Sequence, residues 1–595
     1  MTLRQARKLT LALMGCAMAL LVVQLTTTPS AGAGTPVSVF PIPGDKVAPT
    51  RAQLAFRGVP ASQLGTITVT GSKSGVHTGT VEADSDGLGG SFIPSQKFTP
   101  GETVTVVTAL NIRGAPGGRY SFTVSDPLHP VHVAAPQYAA RVHNDAQVFR
   151  SRPDLRPVSI RVVKNTTHAA PGYYFLAPQA GPLSDGPMIV DSHGHVVWYK
   201  PLPRSELAAD VRVQTYQGQP VITWWQGSWN AGIGRGVDVI SNTAYQEIKI
   251  VRAANGMDAD LHEFQITRNG ADALIISYYP VWWDESSVGG PKRGIVFDSV
   301  VQEIDIATGL VTFQWDSLDH VPLTASTGPP PKDPTHPYNY FHVNSVTQDD
   351  DGNLIISGRN TSAAYKVDIN TGRVIWTLGG KYSSFKFGPD ASFAFQHDVR
   401  VRAQNDAVVT VFDDGGGPPN VHGESRGLKL RLDLKRMTAT RIVRDLHAPP
   451  LLAQYEGNDD ELAGGDDLIG WGEQPYFSEY TSTGQPVFDA RLGDSNPVYR
   501  VYKFRWSGAP QTLPALAVTL HNGAEIAYAS WNGATSVHSW RVLGGASADS
   551  LALVATAANR NFETAIRIHP EAYVEVQALG PSGQVLGTSQ PERPQ

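Results

Sequence analysis

Three short segments of the 595-residue chain place a histidine at the same point of a strand-like motif: Leu261-His262-Glu263-Phe264, Phe341-His342-Val343-Asn344 and Gln396-His397-Asp398-Val399. An imidazole can act as a nucleophile, as a general acid or base, or as a metal ligand. A Gly- or Asn-containing turn follows each motif, so each histidine opens the first strand of a hairpin. Strand geometry adds two partners. Asn344 lies two residues after His342 and so on the same face of that strand. Arg359 ends the return strand of the hairpin from Val343 to Asn360, which brings it back to the same end. Three imidazoles with an amide and a guanidinium offer a nucleophile and several donors for an oxyanion. Three histidines could also hold zinc or copper with a position left open. A guanidinium repels a cation and forks on to sulfate or phosphate oxygens, which favours an anionic substrate. In a third reading the histidines cap strands of a domain that only binds ligands. No acidic pair accompanies the cluster.

Histidines at one phase of several hairpins require a repeating unit to carry them. A strand, a polar Gly turn and a second strand with an apolar end recur six times: Ile189 to Trp198, Val237 to Ile250, Glu303 to Trp315, Val367 to Trp376, Leu430 to Val443 and Phe477 to Phe488. The copies end about 45 to 67 residues apart, near the period of four-stranded propeller blades. Ahead of most of them lies an inner strand: Val221 to Trp225, Leu274 to Tyr278, Leu354 to Gly358, Val408 to Phe412 and Leu468 to Trp471. These runs are apolar on both faces, as strands between neighbouring blades must be. The expected fold is all-β, a six-bladed β-propeller over 150–510. The first strand of each blade lines the central channel, so the three imidazoles should converge at one mouth. Trp224, Trp225, Tyr278, Tyr279, Trp282 and Trp283 fall near that mouth, either to stack on an aromatic substrate or to pack between blades.

The flanks differ in pattern. Short alternating runs such as Thr66 to Thr70 and Thr103 to Val107 predict an N-terminal β-sandwich over 35–130, and a Pro-containing link from Pro127 to Pro157 leads into the propeller. Trp531, Trp540 and the strand Ala572 to Val576 predict a fibronectin-like or Ig-like β-sandwich over 511–592. Residues 1–33 read as a signal peptide or membrane anchor: Arg4, Arg7 and Lys8, an apolar run from Leu9 to Leu25, then Ala31-Gly32-Ala33. The protein is expected to be secreted or extracytoplasmic, with membrane attachment through this segment as the alternative. Leu13-Met14-Gly15-Cys16 loosely resembles a lipoprotein box, but the apolar run continues past the cysteine. Cys16 is the only cysteine, which excludes thiol catalysis in a processed chain. A net charge of -6 gives no footing for nucleic acid. The Gly415-Gly416-Gly417-Pro418-Pro419 segment precedes no helix start, so it reads as a blade loop rather than a phosphate cradle. Asp459-Asp460-Glu461 with Asp466-Asp467 lacks a regular calcium loop and reads as a solvated turn.

His342-Val343-Asn344-Ser345-Val346, with Arg359 seventeen residues beyond His342, and Phe395-Gln396-His397-Asp398 resemble the arylsulfotransferase family. Ser151 to Pro157 and Pro171 to Pro178 are similar to segments of an actinobacterial and fungal-type branch of it. The resemblance runs from roughly 150 to 510 and is best from His262 to Asp414. It implies an exported six-bladed propeller in which His397 is the nucleophile that becomes transiently sulfated. His342, Asn344 and Arg359 would hold the sulfuryl oxygens, and His262 would orient the group or handle the phenolic proton. The implied reaction moves a sulfuryl group from an aryl sulfate to a phenolic acceptor, ping-pong, with no nucleotide donor, cofactor or metal. A phenol ionises at about pH 10, so phenolate is a tolerable leaving group. The chain departs from the best-studied type in its flanking domains and in having no disulfide. Rival readings are a non-catalytic cell-surface binding or adhesion propeller, a quinone-dependent dehydrogenase, and a metal-dependent hydrolase on the three histidines. The dehydrogenase would call for more blades and a calcium-carboxylate site, and neither is legible.

Overall fold

The computed structural model describes residues 34–594 apart from 129–144, 181–184, 231, 268, 334, 404–406, 494–495 and 522. The expected signal or anchor segment with Cys16, and much of the link from Pro127 to Pro157, lie outside the described residues. No helix among the described residues is long and apolar enough to cross a membrane.

Short β-branched and aromatic runs punctuated by glycine turns leave the backbone one way to satisfy its amides, which is to pair with neighbouring strands. The described chain is accordingly almost all β. Six antiparallel sheets follow one another from 173 to 504. The first complete one comprises Leu207–Tyr216, Gln219–Asn230, Ile233–Ser241 and Glu247–Val251. The second is Phe264–Ile266, Asp272–Trp283, Gly294–Asp305 and Val311–Asp316. The third is Val343–Gln348, Leu354–Gly358, Ala363–Val367 and Val374–Gly379. The fourth is His397–Ala403, Val408–Asp413, Arg426–Asp433 and Thr438–Asp445, edged by Lys386–Phe387. The fifth is Asn458–Glu461, Asp467–Gly470, Tyr476–Tyr480 and Pro486–Leu492, edged by Ile160–Asn165. The sixth is closed from both ends of the series, with Val498–Phe504 as its innermost strand against Tyr173–Pro178, then Met188–Val190 and Val196–Tyr199. The inner hairpin of each sheet contacts the next, and Asn458–Glu461 meets Val498–Phe504, so the series closes into a ring. This is the arrangement of a β-propeller.

Period-two alternation packs the ring. In Asp272–Trp283, Ala273 and Ile275 face the cluster shared with the first sheet, while Leu274 and Ile276 face the one shared with the third. Both sets are buried, hence the apolar run without alternation. Trp224 and Trp225 belong to this packing: both are fully buried, in separate inter-sheet clusters, and the Trp225 indole donates to Ala259 O. The acidic stretch at 459–467 is not a solvated turn. It forms the first two strands of the fifth sheet, where Arg402 pairs with Asp460, and Lys429 with Glu461 and Asp467. The neighbouring sheet supplies these cations, so the acidity is neutralised across an interface that local sequence does not show.

Charge also fills the axis. Arg212, Arg400 and Arg500 interlock with Asp210, Glu263 and Asp398, all buried. Arg400 holds Glu263 at 2.7 Å, Arg500 holds Asp210 at 3.1 Å, and Arg212 bridges Asp210 and Glu263. Burial alone would raise Glu263, but Arg400, Arg212 and Arg500 outweigh it and hold its carboxyl at about 2. The three cations and three anions offset one another within this buried layer.

Residues 38–123 form two four-stranded sheets, led by Ser38–Phe40 and Thr68–Gly71, that share one apolar cluster. Residues 515–588 form a three-stranded and a four-stranded sheet around Trp540, Val542 and Val576. The former docks on the second sheet through Ser85 and Asp305, the latter on the sixth through Asn532 and Tyr199.

Candidate active site

The mouths of the second, third and fourth sheets carry the three histidines. His262 stands two residues before Phe264–Ile266, His342 one before Val343–Gln348, and His397 at the start of His397–Ala403. The rings of His262 and His342 lie 5.0 Å apart, and those of His262 and His397 6.4 Å apart. His342 adopts φ 53°, a left-handed conformation costly for a residue with a Cβ, and the strand entry holds it there.

Each imidazole is fixed through Nδ1. His262 Nδ1 is in short contact with Asp260 Oδ1, which also accepts the His262 backbone N–H at 3.0 Å. Asn339 Nδ2 lies 2.7 Å from His342 Nδ1. His397 Nδ1 lies 2.8 Å from Asp414 Oδ2. A carboxylate there favours the tautomer with hydrogen on Nδ1 and the lone pair on Nε2. His397 Nε2 accepts the Glu456 backbone N–H at 3.2 Å, which confirms that this nitrogen presents its lone pair.

Arg359 lies where hairpin geometry predicts. It follows Leu354–Gly358, and its N–H donates to His342 O at 2.9 Å. Its guanidinium sits over the Phe395 ring at 5.1 Å and donates to Asn360 Oδ1 and Gln454 O, which leaves Nε buried without a partner. Asn344 is fully buried, but a bulge between Val343 and Ser345 breaks simple alternation at its position. Its amide donates to Gln396 O at 2.7 Å, tying the third sheet to the residue before His397, and its Oδ1 has no partner.

Four residues outside the predicted set complete the site. Asp260 had a local signal, two residues before His262. Asp414 follows the second strand of its hairpin, as Arg359 does in the preceding sheet, so the reasoning that finds one would find the other. Asn339 had no signal. Glu456 stands two residues before Asn458–Glu461, the position His262 holds in the second sheet, and like His342 it has positive φ, 70°. Of the predicted aromatics, Tyr278 reaches the site, 5.5 Å from His342 and 6.1 Å from His262 ring to ring. Trp282 stacks with Arg293, and Tyr279 and Trp283 pack on the core between the second and third sheets.

The environment keeps the His397 and His342 imidazoles neutral. Burial, then the Arg359 charge and the other two histidines, hold His397 well below the usual histidine range; burial, His262 and Arg359 do the same for His342. Burial pushes Asp414 up, against the pull of Arg359, and lifts Glu456 to about 8. Native interiors leave few polar atoms unpaired. Here Asn339 Oδ1, Asn344 Oδ1, Arg359 Nε, Gln396 Oε1, Asp414 Oδ1 and Glu456 Oε2 are all buried and unpaired, on the three histidine-bearing segments and the residues that contact them. The donor nitrogens of the three histidines do not all come within 4.8 Å of one another, so the set is not gathered as a metal cage.

Residues 212–493, which span the first five sheets and this site, match the family model described as Arylsulfotransferase (ASST). Residues 212–493 are an arylsulfotransferase-family segment. Arylsulfotransferase membership supports sulfuryl transfer in general as the activity, with phenolic and aryl sulfate compounds as the substrate class. No curated protein sequence matches the chain. Among solved structures, the chain is similar to a protein of unknown function from Bacteroides caccae at 12% identity, with 56% of this chain and 100% of that chain covered and a TM-score of 0.36. It is also similar to the periplasmic gluconolactonase PpgL of Pseudomonas aeruginosa at 9% identity, covering 56% and 99%, TM-score 0.31. A third is the Dos1 propeller, at 11% identity, 78% and 97% coverage and TM-score 0.27.

Proposed function

We propose that the protein transfers a sulfuryl group from an aryl sulfate ester to a phenolic acceptor by a ping-pong mechanism through a sulfohistidine at His397, without a nucleotide sulfate donor. The observation that carries the reading is the pairing of His397 Nδ1 with Asp414, which leaves the lone pair on Nε2 of an imidazole that lies beside His262 and under the influence of the Arg359 charge.

In the first half-reaction Nε2 attacks sulfur, the S–O bond to the aryl oxygen breaks, and the phenolate leaves with its electron pair. His397 gains positive character as the bond forms, and Asp414 is placed to compensate it. Arg359 Nε and the His342 ring face the sulfuryl oxygens, where charge shifts in the transition state. The Glu456 N–H, which caps Nε2 in the free protein, is released when Nε2 bonds sulfur and is placed to donate to a sulfuryl oxygen instead. His262, oriented by Asp260, supplies a proton to the departing phenolate and recovers one from the acceptor phenol, whose oxygen attacks sulfur and returns His397 to its neutral form. The proton balance closes over the cycle. Asn344, committed to Gln396 O, supports the site through backbone placement and one remaining amide N–H.

The basic, then apolar, then Ala-Gly-Ala N-terminus supports export, with the propeller acting outside the cytoplasm. The deciding experiment mixes purified protein with 4-nitrophenyl sulfate and a phenol, without nucleotide, beside His397→Ala. Acceptor-dependent nitrophenol release that vanishes in the variant is the expected result. Release that needs no acceptor would identify a sulfatase, and turnover surviving in the variant would remove His397 from the mechanism.

A further inference from the structure

We propose that the turn Asp191-Ser192-His193-Gly194-His195, on the outer hairpin of the sixth sheet, binds one divalent transition-metal ion. The ligand atoms of Asp191, His193 and His195 all lie within 4.8 Å of one another, and this is the one such group among the described residues. Asp191 Oδ2 is 3.1 Å from His195 Nδ1 and 3.9 Å from His193 Nδ1, and the two rings lie nearly parallel, 19° apart in plane. A tetrahedral ion with ligand bonds of about 2.1 Å needs ligand atoms roughly 3.4 Å apart. The gap closes by a small rotation of His193, whose side chain is 70% exposed and free to turn. Two imidazoles and a carboxylate, with water completing the sphere, form a borderline donor set that suits zinc and its neighbours over calcium or magnesium.

The carboxylate is already divided between two tasks. Its Oδ1 accepts the backbone N–H groups of His193 and His195 at 2.8 and 2.9 Å, which leaves Oδ2 directed at the two rings. The turn is itself braced. Asp191 N–H donates to His195 O, Gly194 takes φ 83°, and a Cβ there would come within 2.5 Å of Ile160 O. Gln147 Nε2 donates to Gly194 O and Asn165 Nδ2 to Ser192 O, so residues outside the turn hold both histidine carriers. A simple ion pair would need only one histidine. Two protonated rings stacked over one carboxylate would repel each other, whereas two neutral rings sharing one cation would not.

The place suggests what the ion does. Asp191 also lines a cavity of about 220 Å³ where the sixth sheet meets the C-terminal sheets, together with Tyr173, Trp531, Trp540 and Phe562. The metal would fasten the hairpin at that seam, on a different sheet from the second, third and fourth that carry the histidine cluster.

The test uses the full chain, stripped with chelator and titrated with Zn²⁺ by calorimetry and with Co²⁺ by visible absorption. Wild type is compared with His193→Ala and with His193→Ala/His195→Ala. One equivalent should bind the wild type, the cobalt spectrum should show the intense bands of a four- or five-coordinate site, and the double variant should bind about 100-fold more weakly. Transfer activity should be unchanged in both variants, and Zn²⁺ should raise the melting temperature of the wild type alone. Equal binding in the double variant, or no binding below millimolar zinc, overturns the proposal whatever the outcome of the sulfate-transfer assay.

Discussion

Asp414 and Arg359 occupy the same position in adjacent sheets: each follows the second strand of the hairpin that an active-site histidine opens, Val408–Asp413 for one and Leu354–Gly358 for the other. One equivalent position supplies the carboxyl that orients His397, and the other the guanidinium whose charge lowers its basicity. The two also interact, since Arg359 draws the Asp414 carboxyl down against its burial. The repeat thereby places a carboxyl and a guanidinium where both act on one imidazole.

Asp414→Asn keeps the size of the side chain but lets an amide N–H face Nδ1, which moves the imidazole hydrogen to Nε2 and blocks attack. The turnover number should fall about 100-fold or more, with the Michaelis constant little changed. Pre-steady-state release of nitrophenol measures the first half-reaction directly. A turnover within threefold of wild type would mean that the carboxylate only packs.

The pH profile follows from the neutral state of His397. Its basicity is held well below the ordinary value of about 6.5, so the nucleophile stays unprotonated as pH falls through 6. The acid limb of kcat/KM should therefore lie below pH 6, where a solvated histidine would already be mostly charged. A midpoint at or above about 6.5 contradicts the neutral, desolvated imidazole.

Arg359→Lys retains the charge and discards the planar fork. Lysine cannot reach Asn360 Oδ1 and Gln454 O while also presenting a donor at the Nε position. Loss of one oxyanion donor should lower kcat by about 100-fold, and the nitrophenol assay reads it.

Gly417 packs against the support of Arg359. An added methyl would lie 2.5 Å from the Phe395 ring that supports the Arg359 guanidinium. Gly417→Ala should shift Arg359 and reduce kcat/KM by about tenfold, and unchanged turnover in the nitrophenol assay would separate the loop from the site.

Arg500→Met should be the most damaging change of the set. It strips one cation from a buried layer in which three guanidiniums balance three carboxylates, leaving Asp210, Glu263 and Asp398 underpaired. The cost should be about 3–5 kcal/mol, seen as a lower melting temperature and lower soluble yield.

The sequence by itself determined the repeating strand-turn-strand unit, the histidine phase and Arg359, because these depend on local composition and on the two-residue period of a strand. Apolar runs such as Leu274 to Tyr278 announced strands buried on both faces for the same reason. Only the tertiary structure decided the rest. Asn344 lies in a bulge, where alternation fails. Trp224 and Trp225 turned inward to fill inter-sheet clusters rather than the mouth. The acidic residues at 459–467, solvated by their local pattern, became paired strands because Arg402 and Lys429 come from the sheet next door. The Glu456 N–H on His397 and the closure of Tyr173–Pro178 by Val498–Phe504 join residues far apart in the chain. Such partners are set by the curvature that closes a ring, which is a property of all the sheets together and is written in none of them singly.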